Sequence, residues 1–114
     1  MFRRSTTPEV TVPDFAAAHA AGALVVDVRE PGEYVGGHVP GAVNIPLTQL
    51  GARVPALATE SKGATVFVIC ASGNRSKAGA SLLLQGGLDA RSVAGGTGGW
   101  SRAGHPVVTG SRRG

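Results

Sequence analysis

Short runs of apolar residues, each too brief for a helix, recur along the chain and predict buried strands. The runs cover residues 24–28, 42–45, 64–69 and 90–93. They are rich in β-branched residues and lack a polar face, which is typical of strands covered on both sides. The run at 64–69 is the strongest prediction, because it ends in four consecutive large apolar residues.

Segments with helical spacing lie between these runs. Thr11 and Asp14 form a capping pattern that begins a first helix extending to about Ala20. Residues 76–85 predict a second helix, and residues 47–57 a weaker one that is interrupted by glycine and proline. The alternation of strands and helices predicts an α/β domain with a mostly parallel sheet and helices on both faces.

Two segments are predicted to be irregular. Residues 30–41 contain two prolines and four glycines, so we expect a loop that includes one helical turn. The glycine-rich residues 95–100 follow the last predicted strand and are expected to form a turn.

The chain length of 114 residues predicts one domain over residues 1–114. Its ends, about 1–8 and 109–114, are predicted to be flexible tails. No apolar run approaches the roughly 20 residues that a membrane helix needs. No apolar segment follows the basic N-terminus, so a secretory signal is not expected either.

The net charge of +4 is carried by arginines near the two ends: Arg3, Arg4, Arg112 and Arg113. The other seven basic residues balance seven acidic ones. Because no basic stripe is interleaved with aromatic residues, we do not expect a nucleic-acid partner. Because no long apolar run is present, we do not expect a membrane partner either. The single cysteine, Cys70, excludes an intramolecular disulfide and fits a reducing cytoplasm.

Cys70 directly follows the strongest predicted strand and precedes the helix predicted at 76–85. In parallel α/β sheets, sites form at the carboxyl ends of strands. A loop that enters a helix has unpaired backbone N–H groups. If this loop curls around Cys70, those groups form a cradle for an anion.

Several residues of the loop favour a thiolate at Cys70. Gly73 permits a left-handed backbone, Ser76 is placed to cap the helix, and Arg75 and Lys77 add positive potential. Lowering the pKa of a cysteine from about 8.5 to roughly 6.5 raises its thiolate fraction at pH 7 from about 3% to about 75%. The alternative is a buried, inert cysteine at a strand end.

Three motifs resemble those of the rhodanese family, in the family's order and spacing, over nearly the whole chain. They are Asp27-Val28-Arg29-Glu30 with Glu33-Tyr34 and Gly37-His38-Val39-Pro40-Gly41-Ala42, the loop Cys70 to Ser76, and Gly95-Gly96-Thr97-Gly98-Gly99-Trp100. The nearest likeness is to single-domain members that resemble thiosulfate sulfurtransferase.

The resemblance implies a rhodanese-like fold with a five-stranded parallel sheet and helices on both faces. It also implies a ping-pong reaction, in which Cys70 takes sulfane sulfur from a donor such as thiosulfate and holds it as a persulfide. Cyanide, a small thiol or a protein thiol then accepts the sulfur, and no metal or organic cofactor is needed. The implied substrate-binding residues are Ala71, Ser72, Gly73, Asn74, Arg75, Ser76 and Arg29.

Loop length bears on the substrate. Four residues separate Cys70 from Arg75, whereas related phosphatases have five. The smaller ring suits a persulfide sulfur better than a phosphate, so phosphatase or arsenate-reductase activity is disfavoured. Ala71 stands where many family members carry Arg or another long side chain, so we expect weak thiosulfate binding. Thr97 replaces a larger apolar residue, so we expect altered packing beside the loop.

Other motif residues are expected to support the structure. Asp27 and Arg29 are predicted to form a scaffold pair, with a pocket role for Arg29 as the alternative. Glu33 is predicted to anchor a loop as an acceptor. His38 is expected to bind backbone rather than act as a base. Trp100 is expected to cover one end of the sheet rather than line the pocket.

Two other functions stay open at this point. One is a relay that accepts persulfide from one protein and delivers it to another, which the short side chain of Ala71 favours. The other is a non-enzymatic regulatory module, against which the presence of Cys70 argues.

Overall fold

The computed structural model describes residues 7–114, so most of the tail predicted at 1–8 lies outside the described residues. Within this range, strands and helices alternate. The strands are β1 (Glu9–Val10), β2 (Leu24–Asp27), β3 (Val43–Asn44), β4 (Val66–Ile69) and β5 (Ala90–Val93). The helices are α1 (Val12–Ala20), α2 (Pro31–Gly36), α3 (Val54–Ser61), α4 (Asn74–Gln85) and α5 (Gly96–Arg102).

The five strands form one parallel sheet in the order β1-β5-β4-β2-β3. The predicted α/β class and the five-stranded parallel sheet are therefore confirmed. Because all strands run the same way, their carboxyl ends meet at one edge. Strand β4 is central, so the segment that follows it emerges in the middle of that edge.

Alternate residues of the strands face two apolar clusters on opposite faces of the sheet. Val26, Val66 and Val68 belong to a cluster that includes Leu57 of α3 and Leu83 of α4. The other cluster contains Val25, Phe67, Ile69 and Val93 of the strands, with Phe15 of α1, Tyr34 of α2 and Trp100 of α5. Both faces are covered, as the absence of a polar face predicted.

The first helix follows its predicted start. Thr11 is the N-cap residue, and its hydroxyl oxygen accepts a hydrogen bond from the backbone N–H of Asp14. Residues 47–57 divide into two short 3₁₀ turns and the beginning of α3, with proline in the first turn of that helix, where it is tolerated.

One strand was not expected, and two expectations about elements are wrong. Strand β1 has only two residues and no apolar run, so its pairing with β5 was not predicted. The glycine-rich segment 95–100 is mostly helix α5 rather than a turn. Helix α4 begins at Asn74, two residues before the predicted start at Ser76.

The C-terminal segment runs back along the domain. The N–H of His38 donates to the carbonyl of Val108, and the N–H of Gly41 donates to the carbonyl of Arg113 at 2.7 Å. The flexibility predicted for residues 109–114 stays a prediction, but this segment is hydrogen-bonded in the structure. No helix among residues 7–114 is long and apolar enough to span a membrane.

Gly96, the first residue of α5, lies very close to the backbone of the loop that contains Cys70 and Ala71. Its φ is +59°, and an added Cβ would lie 2.6 Å from the carbonyl oxygen of Ala71. We expect Gly96→Ala to lower the free energy of unfolding by at least about 2 kcal/mol, because the helix must move away from the loop. Urea denaturation measures the loss.

Gly32→Ala is the matched control. Gly32 lies in α2 with no atom within 4 Å of an added Cβ, so the substitution should be neutral or stabilise by up to about 1 kcal/mol. Equal stability of the two variants would contradict the close approach at Gly96.

Candidate active site

The loop after β4 closes around the sulfur of Cys70. The backbone N–H groups of Gly73 and Ser76 donate to Cys70 Sγ, with N···S distances of 3.1 Å and 3.3 Å. Gly73 has a φ of +111°, the left-handed conformation predicted for it. Cys70 is 1% exposed.

The Cys70 sulfur, rather than the Ser76 hydroxyl, accepts a hydrogen bond at the start of α4. Gly73 is the N-cap residue of α4, and no side chain of its own caps this helix. Because Ser76 is the third helical residue, its N–H is one of the unpaired donors of the first turn, and Cys70 Sγ accepts from it. The prediction that Ser76 caps the helix is therefore wrong.

The hydroxyl of Ser76 points into the same loop. Its Oγ lies 3.4 Å from Cys70 Sγ, 3.1 Å from the carbonyl oxygen of Gly73 and 2.7 Å from the hydroxyl of Ser92. No sequence motif singled out Ser92. The available signal was a serine within a strand predicted to be buried on both faces.

Hydrogen bonding outweighs burial at Cys70. Burial of the thiol raises its pKa, but the side chain and backbone of Ser76 and the N–H groups of Gly73 and Ser72 lower it by more. The net effect holds the pKa of Cys70 below its ordinary value, which favours the thiolate, the nucleophilic form of cysteine.

Helix α5 holds the loop from the opposite side. The N–H of Thr97 donates to the carbonyl of Cys70 at 2.8 Å, and the N–H of Gly98 donates to the carbonyl of Ala71 at 3.0 Å. Thr97 is buried, and its hydroxyl has no hydrogen-bond partner among residues 7–114. The loop backbone is thus fixed between α4 and α5.

Arg75 is bound to Glu33 of α2. Two guanidinium nitrogens donate to the two carboxylate oxygens at 2.8 Å and 2.9 Å. This contact, together with a hydrogen bond from the N–H of Glu30, lowers the pKa of Glu33 from 4.5 to about 2. Glu33 therefore anchors the Cys70 loop to α2.

Asp27 and Arg29 form a buried ion pair. The Arg29 side chain donates three hydrogen bonds to the Asp27 carboxylate and a fourth, at 2.8 Å, to the carbonyl of Gly37. The side chain of Asn44 donates to the backbone carbonyls of both residues. The structure thus brings Arg29 to the scaffold, and its binding of substrate stays a prediction.

His38 and Trp100 lie in the packed interior. His38 stacks on Tyr34, and its ring nitrogens face the carbonyls of Tyr34 and Arg113. Trp100 packs edge-on against Phe15. Both side chains are therefore part of the packed interior, and their assignment as structural residues stays a prediction.

The remaining loop positions do not add a free cation. Lys77 is 3.7 Å from Glu9, so it is directed to β1 rather than to the sulfur. Asn74 and Ser72 are exposed, and Ala71 contributes a methyl group. No group of three or more metal-ligating side chains comes together among residues 7–114.

Comparison with known proteins matches residues 11–103 to the rhodanese-like domain family. A rhodanese-related protein from Thermoplasma volcanium is 35% identical, with a TM-score of 0.81, over 90% of this chain and 99% of that one. A thiosulfate sulfurtransferase from Pseudomonas aeruginosa is 31% identical, with a TM-score of 0.82, and the match covers 91% of this chain but 20% of that one.

Two further structures are similar at lower identity. A human single-domain sulfurtransferase is 27% identical, with a TM-score of 0.73, over 84% of this chain and 96% of that one. A protein from Rhodopseudomonas palustris described as a possible tyrosine phosphatase is 26% identical, with a TM-score of 0.81, over 90% of this chain and 85% of that one.

The Glu33–Arg75 contact predicts an acid titration. The carboxyl ¹³C signal of Glu33 should titrate near pH 2, and Arg75→Met should raise that midpoint toward 4.5. Since the folded pKa is depressed, the contact stabilises the fold fully above about pH 4.5, and this contribution is lost as the pH falls toward 2. Arg91→Met is the control, because the guanidinium of Arg91 lies near Asp89 rather than Glu33, and it should leave the Glu33 midpoint unchanged. A Glu33 midpoint unchanged by Arg75→Met would refute the contact.

Proposed function

The chain belongs to the rhodanese-like domain family, and on this basis we propose that it is a sulfurtransferase that carries sulfane sulfur as a persulfide on Cys70. The observation that supports this most is the convergence of two backbone N–H groups and one hydroxyl on a buried sulfur with a lowered pKa. Its relatives in structure include two proteins described as sulfurtransferases.

The proposed reaction has two steps. The Cys70 thiolate attacks the sulfane sulfur of a donor such as thiosulfate, a Cys70 S–S bond forms, and sulfite leaves with the electron pair of the broken S–S bond. An acceptor thiolate or cyanide then attacks the outer sulfur and releases the Cys70 thiolate. Covalent catalysis of this kind divides one transfer into two easier ones. The hydrogen-bond donors of the loop serve the attacking and the departing thiolate alike.

A second candidate function is supported by the pairing of the charges around the loop. Arg75 is bound to Glu33 and Arg29 to Asp27, Lys77 lies 3.7 Å from Glu9, and Ala71 carries no charge. A dianion such as thiosulfate must therefore compete with carboxylates for these cations. This arrangement favours a relay in which the donor is a persulfide on another protein. We place such a relay in the reducing cytoplasm, where thiols persist.

A phosphatase is disfavoured by the same residues. Phosphate recognition uses arginine as a bidentate donor, and both terminal nitrogens of Arg75 already donate to Glu33. The loop is also one residue shorter than the Cys-x5-Arg loop of related phosphatases.

Intact-mass spectrometry tests the proposed intermediate. After treatment with thiosulfate, or with a small-molecule persulfide, the full chain should gain about 32 Da on Cys70. Cys70→Ser should gain nothing and keep its fold, because the two side chains have nearly the same shape. The persulfide mechanism is wrong if neither donor adds this mass, or if Cys70→Ser adds it too.

A positive charge placed at position 71 tests whether thiosulfate binding is limited by the lack of a free cation, as the relay alternative requires. Ala71→Arg should raise kcat/KM for thiosulfate by about tenfold at low salt, since a charge-assisted contact of roughly 1.4 kcal/mol corresponds to that factor. Ala71→Met, which is long and uncharged, is the matched control and should not raise it. The gain should fall with added salt. Fast thiosulfate turnover by the wild-type chain would count against a relay.

A further inference from the structure

A second hydroxyl lies beyond Ser76 on the path away from the sulfur. Ser92 belongs to β5 and is fully buried. Its Oγ is 2.7 Å from Ser76 Oγ, which in turn is 3.4 Å from Cys70 Sγ. These three side chains form a continuous line of polar contacts from the sheet to the sulfur.

The direction of these hydrogen bonds follows from the acceptors that are present. Among residues 7–114, the Ser92 hydroxyl has Ser76 as its hydrogen-bond partner and no other. Since a buried hydroxyl proton without an acceptor is unfavourable, Ser92 donates to Ser76. The Ser76 proton then has two acceptors within reach, the carbonyl oxygen of Gly73 and Cys70 Sγ.

The charge on the sulfur decides between those two acceptors. When Cys70 is a neutral thiol, its S–H donates to Ser76 Oγ, and the Ser76 proton is directed to Gly73. When Cys70 is a thiolate, the anion is the stronger acceptor, and rotation of the Ser76 hydroxyl brings the same proton to the sulfur. A hydroxyl that accepts a hydrogen bond donates a stronger one, so Ser92 reinforces this contact.

We propose that Ser92 is a positioning residue for the Cys70 sulfur, which acts by donating to Ser76 and so leaves the single Ser76 proton free for the anionic sulfur. The inference rests on the proposed function, because it concerns the same nucleophile. Ser92 acts through Ser76 and needs no contact of its own with the donor or the acceptor of sulfur.

A double-mutant cycle on the full chain tests this role. The pH dependence of Cys70 alkylation by iodoacetamide reports its thiolate directly, because the chain has one cysteine. Ser92→Ala should raise the pKa of Cys70 by about half a unit, which lowers the thiolate fraction about threefold well below that pKa. In a Ser76→Ala background, the same substitution should change nothing. Ser101→Ala, on the exposed surface of α5, is the control.

A second pair of variants separates the loss of the Ser92 hydroxyl from a change of packing at position 92. Threonine and valine have the same shape, so Ser92→Thr should keep the wild-type pKa and Ser92→Val should raise it. The proposal is overturned if Ser92→Ala leaves the pKa unchanged, or shifts it equally with and without Ser76. Alkylation needs no sulfur donor, so this result is independent of sulfur uptake. If Cys70 gains no sulfur in the mass-spectrometry test, the proposed function is wrong, but the measured effect of Ser92 on the pKa of Cys70 remains valid.

Discussion

The first turn of α4 needs a hydrogen-bond acceptor, and the sulfur of Cys70 provides it. The helix begins at a left-handed glycine and has no side-chain cap. The N–H of Ser76 would otherwise be a buried, unpaired donor. The same hydrogen bond stabilises the helix start and a negative charge on the sulfur. The helix cap and the proposed nucleophile are thus the same atom, which links the geometry of the loop to the chemistry proposed for it.

Charge pairing shapes the rest of the surroundings. The sulfur anion is stabilised by backbone N–H groups and hydroxyls, which carry no net charge, while the cations nearby are held by carboxylates. The contact with Glu33 contributes most to raising the pKa of Arg75, and the negative charge of Cys70 raises it further. The guanidinium therefore fixes the loop to α2 and adds positive potential without being free to bind an anion in a bidentate manner.

Much of this arrangement could be predicted from sequence because it depends on local patterns. The apolar runs identified four strands, and the strand–loop–helix order placed Cys70 at the carboxyl end of β4. Strand β1 could not be predicted, since two residues carry no periodicity. The pairing of Arg75 with Glu33 and of Ser76 with Ser92 spans 42 and 16 residues, respectively, and depends on how helices pack on the sheet. Helix α5 was missed because its three glycines, which follow Gly95, favour a turn locally. In the folded chain its N–H groups gain the carbonyls of Cys70 and Ala71 as acceptors.

In the proposed function, the ability to carry sulfur and the choice of sulfur donor depend on different groups of this site. The donors around Cys70 are backbone N–H groups and the hydroxyl of Ser76, so they recognise an anionic sulfur whatever molecule brings it. Donor choice must then depend on groups outside that ring, at position 71 and at the Glu33–Arg75 pair. A persulfide presented by another thiol needs no cation from this chain, whereas a small dianion does. The uncharged side chain of Ala71 and the pairing of Arg75 with Glu33 therefore both favour, as the proposed donor, a persulfide-bearing protein that supplies its own binding surface.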